Sequence, residues 1–116
     1  MITGASRGIG RGCAAGPGES GASVVVTGPP AAGTGTSIGL DETVALIERA
    51  GGRGVAISCD HRDDAQVEAG FDAVAATAGH LNVLVNNATT KENLAELFND
   101  TPFWELDPSC GTTCSP

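Results

Sequence analysis

The stretch that decides the fold reads Thr-Gly-Ala-Ser-Arg-Gly-Ile-Gly, from Thr3 to Gly10, and it begins two residues after the first methionine. Gly4 permits a sharp turn out of a strand, Gly8 lets backbone approach a ligand with no Cβ in the way, and Gly10 allows close helix packing. The N–H groups of Ser6 to Ile9 then open a helix, and a helix start carries free donors and partial positive charge. The sequence therefore predicts a turn that binds a pyrophosphate.

Three apolar runs after this turn have the composition of buried β-strands. Val24 to Thr27 is β-branched and bounded by glycine and proline, and residues 55–58 form a second short run. Residues 81–85 form the third. We expect a strand at each place, together with a first strand of which only two residues precede the glycine turn.

Helical patterns separate the predicted strands. The helix after the turn contains Pro17 among several glycines. An internal proline costs about 3 kcal/mol, so this helix is expected to end by Gly16. Asp41 is expected to cap a second helix, which Gly51 ends.

The clearest helical pattern comes third. Asp60 or Asp63 opens it and Gly79 ends it. Apolar residues recur in it at helical spacing. Those expected to face the core are Val67, Phe71, Val74, Ala75 and Ala78.

Composition limits both the size of the fold and its partners. With 116 residues the chain holds one domain at most. A formal net charge of −8 disfavours nucleic acid and anionic lipid as partners. No apolar run reaches the roughly 18 residues of a membrane-spanning helix, and no signal peptide precedes the turn, so we expect a soluble cytoplasmic protein.

The cysteines and histidines do not form a metal-binding pattern. No CxxC pair occurs, and without a secretory signal the thiols are expected to be reduced. The two histidines, His61 and His80, have no spacing that matches the cysteines of the tail, so we expect no metal site. The four cysteines are Cys13, Cys59, Cys110 and Cys114.

Strands and helices alternate along the chain, which predicts an α/β fold with a parallel sheet and helices on both faces. The glycine turn, the strand end at Cys59-Asp60-His61 and the run Leu84-Val85-Asn86-Asn87-Ala88 follow one another in Rossmann order. With these motifs the chain resembles the short-chain dehydrogenase/reductase family, and within it the member-one branch. The resemblance implies a Rossmann-type doubly wound sheet, here incomplete because the first strand is mostly missing and the C-terminal half is absent.

The resemblance also implies a role for each motif. The glycine turn would cradle the pyrophosphate and the adenosine ribose. Asp60 and the backbone at His61 would contact the adenine, and Asn87 with Ala88 would flank the nicotinamide-side ribose. The residues of the turn that take part are Gly4, Ser6, Arg7, Gly8, Ile9 and Gly10.

The coenzyme implied is NADP, with NAD possible. A guanidinium at Arg7 can pair with the 2′-phosphate of NADP. However, Pro29 follows Thr27-Gly28 where related sequences have an arginine, and no acid stands there to hold the 2′-hydroxyl of NAD. Thr89 replaces the glycine that usually follows Asn-Asn-Ala, which is expected to crowd the coenzyme.

Family catalysis uses a serine, a tyrosine and a lysine that follows the tyrosine by four residues. This chain has no tyrosine, and its one lysine is Lys91. We therefore expect residues 1–108 to be a partial NAD(P)-binding domain without catalytic residues, and residues 109–116 to be a divergent, unstructured tail. The parent family reduces small carbonyl compounds or oxidises alcohols.

Two other functions remain open. One is a non-catalytic remnant that binds a nucleotide or a partner. The other is a serine hydrolase, because residues 4–8 also match GxSxG and Asp60 and His80 follow Ser6 in the hydrolase order. A hydrolase elbow lies mid-chain, however, with its oxyanion loop upstream.

The short first strand also bears on stability. Its neighbours would lose pairing partners, at a cost of several kcal/mol, against a total stability of about 5–15 kcal/mol for a domain. The isolated chain is therefore expected to fold poorly or to aggregate. Cooperative unfolding followed by circular dichroism would contradict this expectation.

Overall fold

The computed structural model describes residues 1–33, 38–89 and 102–105. Within them three helices and two strands alternate: α1 (Gly8–Glu19), β1 (Ser23–Gly28), α2 (Leu40–Ala50), β2 (Arg53–Ser58) and α3 (Asp64–Ala78). A short 3₁₀ turn follows at Phe103–Glu105. The order is that of the predicted α/β fold.

The sheet is parallel. β1 pairs with β2 from Ser23 opposite Arg53 to Gly28 opposite Ser58. On the other side of β1, Ile2 bridges in parallel to both Val26 and Val85. The order across the sheet is therefore β2, β1, the segment around Ile2, and the segment around Val85. All their carboxyl ends lie at one edge, which we call the carboxyl edge.

The first three residues form backbone hydrogen bonds to both of their neighbours in the sheet. The N–H of Ile2 donates to the Val25 carbonyl at 2.8 Å, and the N–H of Thr27 donates to the Ile2 carbonyl at 3.1 Å. On the far side, the N–H of Thr3 donates to the Val85 carbonyl at 3.1 Å. Residues 1–3 therefore pair on both sides, with β1 and with the segment around Val85.

Helices cover both faces, as the alternating pattern predicts. On one face, α1 and α2 enclose a core. Its fully buried members are Ile2, Ala5, Ala14, Val24, Val26, Leu40 and Ile47. On the other face, Val74 of α3 packs with Met1 and Val25 in a smaller cluster.

The prediction that α1 ends by Gly16 was wrong. The helix continues to Glu19, with Pro17 inside it. Because Pro17 lies in the last turn, it removes a single helical N–H, and the carbonyls of Gly16 and Pro17 accept bonds from the residues that follow. A Cβ on Gly18 would lie 3.0 Å from the Ile47 carbonyl oxygen, so glycine there lets α1 pack closely on α2.

Two further predictions need correction. Gly39, in the left-handed conformation at φ 89°, caps α2, and Asp41 lies inside its first turn. In α3 only Gly70 and Val74 are buried, and Phe71 is 39% exposed. Val74 packs on Met1 and Val25, with Val55 and Ile57 beside them, so the sheet covers only the part of α3 nearest Val74.

Residues 81–85 were predicted as a third strand, but among the described residues they form only the bridge at Val85. A strand is formed by backbone hydrogen bonds to a neighbour, and here the neighbour contributes only the bonds of Met1 and Thr3. Val83 and Val85 take hydrogen bonds from Met1 and Thr3, whereas the side chain of Leu84 is 41% exposed. The segment lies where the predicted strand should, with incomplete pairing.

Of the two aspartates predicted to open α3, Asp63 is the one that caps it, and this cap gives the protein a titratable helix end. Its carboxylate accepts from the N–H groups of Ala65 at 3.0 Å and Gln66 at 3.3 Å. Hydrogen bonds, first of all from the Gln66 side chain, lower the pKa of Asp63. Because the folded pKa lies below the unfolded value of about 3.9, the stability that it contributes is lost as pH falls below that value.

We therefore expect the urea midpoint of the chain to fall between pH 6 and pH 3, and Asp63→Asn to flatten this dependence. Asparagine caps a helix as well as aspartate does but does not titrate. Asp64→Asn, which removes the same charge one residue later, is the matched control and should keep the slope of the parent chain. Equal slopes for the two variants would contradict the assignment.

Candidate functional site

The glycine turn lies at the carboxyl edge and its backbone has the geometry that the sequence predicts. Gly4 has φ 66° and Gly8 has φ 60°, both in the left-handed region that favours glycine. A Cβ on Gly4 would lie 2.8 Å from the Cα of Ala88, and one on Gly10 would lie 2.5 Å from the Gly4 carbonyl oxygen. At Gly8 nothing lies within 4 Å of the Cβ position, so this glycine faces open space.

The first turn of α1 is suited to an anion. Its N-cap residue, Arg7, makes no capping hydrogen bond with its side chain, and no acidic residue lies in the first turn. The unpaired N–H groups of a helix start and its partial positive charge then face the open space beside Gly8. The residues present therefore fit a pyrophosphate.

Asn87 fixes the turn to the neighbouring segment of the sheet. Its Nδ2 donates to the carbonyl oxygens of Thr3 at 3.0 Å and Gly4 at 3.1 Å. In return, the Thr3 hydroxyl accepts from the N–H groups of Asn87 and Ala88, each at 3.0 Å. The amide of Asn87 is thus used to hold the turn, and Thr3, which sequence reasoning missed, is its partner.

Arg11 makes contacts within the protein, although its position in the sequence suggests a role in binding an anion. The sequence places it beside Arg7 as a cation near the loop, yet its guanidinium donates to the carbonyl oxygens of Ser6 and Gly39. It also forms an ion pair with Glu42 at 2.9 Å. Arg11 therefore ties the glycine turn to the start of α2, whereas Arg7 is exposed at the N-terminus of α1.

Thr43 completes this tie and was also missed. Its hydroxyl, fully buried, donates to the Ala5 carbonyl at 2.7 Å and accepts from Nε of Arg11 at 3.1 Å. A threonine on the apolar face of a predicted helix is the only sequence signal of this role. The turn is held from two sides, by Asn87 and by the pair of Arg11 and Thr43.

His61 follows the end of β2 and contacts the neighbouring end of β1. Nε2 of His61 lies 2.7 Å from the buried hydroxyl of Thr27. Burial lowers the pKa of His61, against the opposing effect of Asp60, so the imidazole is neutral at neutral pH. An uncharged ring against the strand end is compatible with a flat heterocycle.

Asp60 is engaged by Arg62. Its two carboxylate oxygens accept from Nε at 3.0 Å and from Nη2 at 2.8 Å of that arginine. These hydrogen bonds lower the pKa of Asp60. Next to it, burial first and then the charges of Asp60 and Asp63 raise the pKa of the Cys59 thiol, so Cys59 is not a thiolate nucleophile at neutral pH.

The hydrolase alternative finds no support in this geometry. Ser6 lies in the turn at the carboxyl edge, and its carbonyl is held by Arg11. His80 follows the end of α3 and lines a cleft at the opposite edge of the sheet. His80 is therefore not brought to Ser6 at the carboxyl edge.

Comparison with known proteins decides the family. The family model for short chain dehydrogenase matches residues 1–106. The chain belongs to the short-chain dehydrogenase family. It is 36% identical over 113 residues to mouse dehydrogenase/reductase SDR family member 1, covering 94% of this chain and 33% of the relative. It is also 39% identical over 99 residues to 1-cyclohexenylcarbonyl-CoA reductase of Streptomyces collinus, covering 84% of this chain and 34% of the relative.

A solved structure agrees with these relatives. The crystal structure of a metagenomic short-chain oxidoreductase in complex with NADP matches with a TM-score of 0.67 and 36% identity, over 77% of this chain and 38% of that one. The Rossmann-type α/β fold predicted from the sequence is thereby confirmed. The chain spans about a third of the length of these two relatives. Within its described residues, no helix is long and apolar enough to cross a membrane.

Proposed function

We propose that the chain is the coenzyme-binding part of an NAD(P)-dependent oxidoreductase that interconverts carbonyl compounds and alcohols. The observation that carries this proposal is the glycine turn, which opens α1 at the carboxyl edge with neither an acid nor a side-chain cap in the way. At such an edge of a parallel sheet, helix N–H groups meet the phosphates of a dinucleotide.

The residues of the site divide by what they do. Gly4 and Gly10 let the turn close, and Gly8 leaves room for the pyrophosphate. His61 and Asp60 border the adenine, and Ala88 borders the nicotinamide-side ribose. The residues that we propose for coenzyme binding are Gly4, Ser6, Arg7, Gly8, Ile9, Gly10, Asp60, His61, Asn87 and Ala88.

The coenzyme that we propose is NADP. Arg7 is exposed at the turn, and the carboxylate of Asp60 is neutralised by Arg62 rather than directed at a ribose hydroxyl. A guanidinium favours a 2′-phosphate over a 2′-hydroxyl. One structural neighbour is an NADP complex. A bound nicotinamide coenzyme would supply hydride chemistry, while this chain's residues bind and orient it.

We further propose that the chain alone does not catalyse the reaction, and that residues 1–108 form its binding unit. The sequence contains no tyrosine, and Lys91 falls outside the described residues. A general acid/base of the kind that polarises a carbonyl is therefore not supplied by tyrosine here. This observation also favours the second candidate, a non-catalytic protein that binds a nucleotide or a partner.

Isothermal titration with NADPH and NADH tests the proposal. NADPH is expected to bind more tightly than NADH, and Arg7→Ala should weaken NADPH about tenfold, since a charge-assisted hydrogen bond contributes roughly 1.5–3 kcal/mol. Arg49→Ala removes the same charge from the exposed last turn of α2 and is the matched control. NADH affinity should change little in either variant.

Three results would count against the proposal. If a chain that unfolds cooperatively does not bind NADPH, the proposal that the glycine turn binds a coenzyme is wrong. Equal losses for Arg7→Ala and Arg49→Ala would show a general charge effect. Tighter binding of NADH than of NADPH would leave the family in place and overturn the choice of coenzyme.

A further inference from the structure

The start of α2 lies directly against the glycine turn. Gly39, the N-cap of α2, is so close to the turn that a Cβ on it would clash with the Ser6 carbonyl oxygen and lie 2.8 Å from Nη2 of Arg11. The buried hydroxyl of Thr43, in the first turn of α2, donates to the Ala5 carbonyl at 2.7 Å. Charged side chains at the start of α2 are therefore neighbours of the turn that we propose binds the coenzyme.

Arg11 brings a positive charge to this contact. It lies one helical turn after Arg7, and its N–H donates to the Arg7 carbonyl at 3.3 Å. Its guanidinium donates to the carbonyl oxygens of Ser6 and Gly39, and its side chain is 31% exposed. Because residues four apart share one side of a helix, Arg7 and Arg11 form one positive region beside the turn.

Glu42 offsets half of this positive charge. Its carboxylate lies 2.9 Å from Nη1 of Arg11, and its side chain is 72% exposed. An ion pair as exposed as this one contributes little to stability, but the charges of its two members still cancel in the field that they produce nearby. Among the described residues around the turn, Arg7 is then the cation that no carboxylate neutralises.

The segment that links β1 to α2 supplies no charge of its own. Residues 27–40 are all uncharged, so Asp41 and Glu42, both exposed in the first turn of α2, are the first charged residues after β1. After β2, Asp60 and Arg62 neutralise each other at 2.8 Å. Rossmann-type sites distinguish NADP from NAD by a charged side chain roughly 20 residues after the glycine motif. In this chain, the charges left for that distinction are those at the turn and at the start of α2.

We propose that Glu42 limits the preference of the chain for NADP over NAD, because its carboxylate cancels the charge of Arg11 beside the position of the 2′-phosphate. The inference rests on the coenzyme site proposed above and names the residue that limits its selectivity. NADP carries a phosphate of about two negative charges where NAD carries a hydroxyl, so a nearby carboxylate weakens NADP and has little effect on NAD. Glu42 acts here through its charge and does not touch the coenzyme.

Isothermal titration of the full chain with NADPH and NADH tests this inference. Glu42→Gln keeps the length of the side chain and an oxygen that can accept from Arg11, but it removes the charge. For a doubly charged phosphate about 8 Å away in water, the loss of one negative charge strengthens binding roughly fivefold. The ratio of the NADH to the NADPH dissociation constant is therefore expected to rise about fivefold at low ionic strength. Effects on the pyrophosphate or on stability are common to both coenzymes and cancel in this ratio.

Glu48→Gln is the matched control for this variant. Glu48 is exposed near the other end of α2, six residues after Glu42, which places it about 9 Å farther along the helix axis. This control should raise the ratio by about twofold or less. Equal increases in the two variants would show an effect of net charge alone and would overturn the inference.

Glu42→Lys reverses the charge and gives a second reading of the same effect. Because the charge changes by two units rather than one, the ratio should rise by roughly the square of the factor found for Glu42→Gln. In about 1 M salt, where the Debye length is about 3 Å, both increases should largely disappear. An unchanged ratio in both variants, or an increase that salt does not reduce, would contradict a role of the Glu42 charge.

The outcomes separate this inference from the proposal on which it rests. If NADPH binds to the parent chain and the Glu42 variants keep its ratio, the coenzyme site stands and the role of Glu42 is wrong. If Glu42→Gln weakens both coenzymes equally, Glu42 only supports the turn, and the inference is wrong as well. If neither coenzyme binds to a chain that unfolds cooperatively, the coenzyme site itself is wrong and the inference falls with it.

Discussion

Replacing Gly10 with alanine is expected to destabilise the protein by about 3 kcal/mol and to weaken NADPH binding by roughly a hundredfold. The added methyl group would lie 2.5 Å from the Gly4 carbonyl oxygen, 2.6 Å from Nδ2 of Asn87 and 2.9 Å from the Cα of Ala5. Two of these atoms are backbone, so the clash is relieved only if α1 moves away from the turn. Such a movement would shift the N–H groups at the start of α1 away from the position in which we propose that they bind the pyrophosphate.

Gly12→Ala is the matched control for this prediction. The same methyl group is added two residues later in α1, where nothing lies within 4 Å of the Cβ position. Alanine in an exposed helix interior is more stable than glycine by roughly 0.5–1 kcal/mol. Urea denaturation should therefore show opposite shifts for the two variants, and NADPH titration should show a loss for Gly10→Ala alone. Shifts of the same sign would contradict the packing role of Gly10.

The parts of the fold that the sequence predicted correctly are those determined by local chemistry. A turn that requires a left-handed φ at Gly4, an N-cap at Asp63 and a C-cap at Gly79 each depend on a few neighbouring residues. The convergence of strand ends at one edge follows from parallel topology, which the alternation of strands and helices already implies. These features could be predicted because their sequence signals are local, even where distant residues such as Asn87 also hold the turn.

The parts that could not be predicted depend on which distant residues meet. Pro17 is tolerated because it lies in the last turn of α1, where few backbone hydrogen bonds remain to be lost. Arg11 is not available to a phosphate because its guanidinium donates to Thr43 of α2. Nothing in the sequence near Arg11 indicates a partner 32 residues away. The pairing of residues 83 and 85 likewise depends on a segment 82 residues away along the chain.

Asn87→Asp is expected to be at least as damaging to coenzyme binding as Gly10→Ala, although it changes the shape of the side chain little. Nδ2 of Asn87 donates to the carbonyl oxygens of Thr3 and Gly4. An aspartate oxygen in its place would face two carbonyl oxygens at about the same distances, with no donor between them. Leaving such groups unsatisfied costs about 1–3 kcal/mol each, and the new negative charge also repels a pyrophosphate.

We therefore expect Asn87→Asp to lower the free energy of unfolding by about 2–4 kcal/mol and to weaken NADPH by more than a hundredfold. Asn86→Asp makes the same substitution at the adjacent exposed residue and should leave stability within about 0.5 kcal/mol of the parent chain. The two variants differ in a single respect, the donation to the turn. Urea denaturation and NADPH titration of both provide the measurement.

Asn87→Ala separates the two causes of the expected loss. It removes the donor without adding a charge, so it should destabilise the chain less than Asn87→Asp and weaken NADPH less. Added salt screens charge repulsion, so it should recover part of the NADPH affinity lost in Asn87→Asp but none of that lost in Asn87→Ala. If Asn87→Asp behaves like Asn86→Asp, Asn87 does not hold the turn, and the closed form of the glycine turn must rest on Arg11 and Thr43 alone.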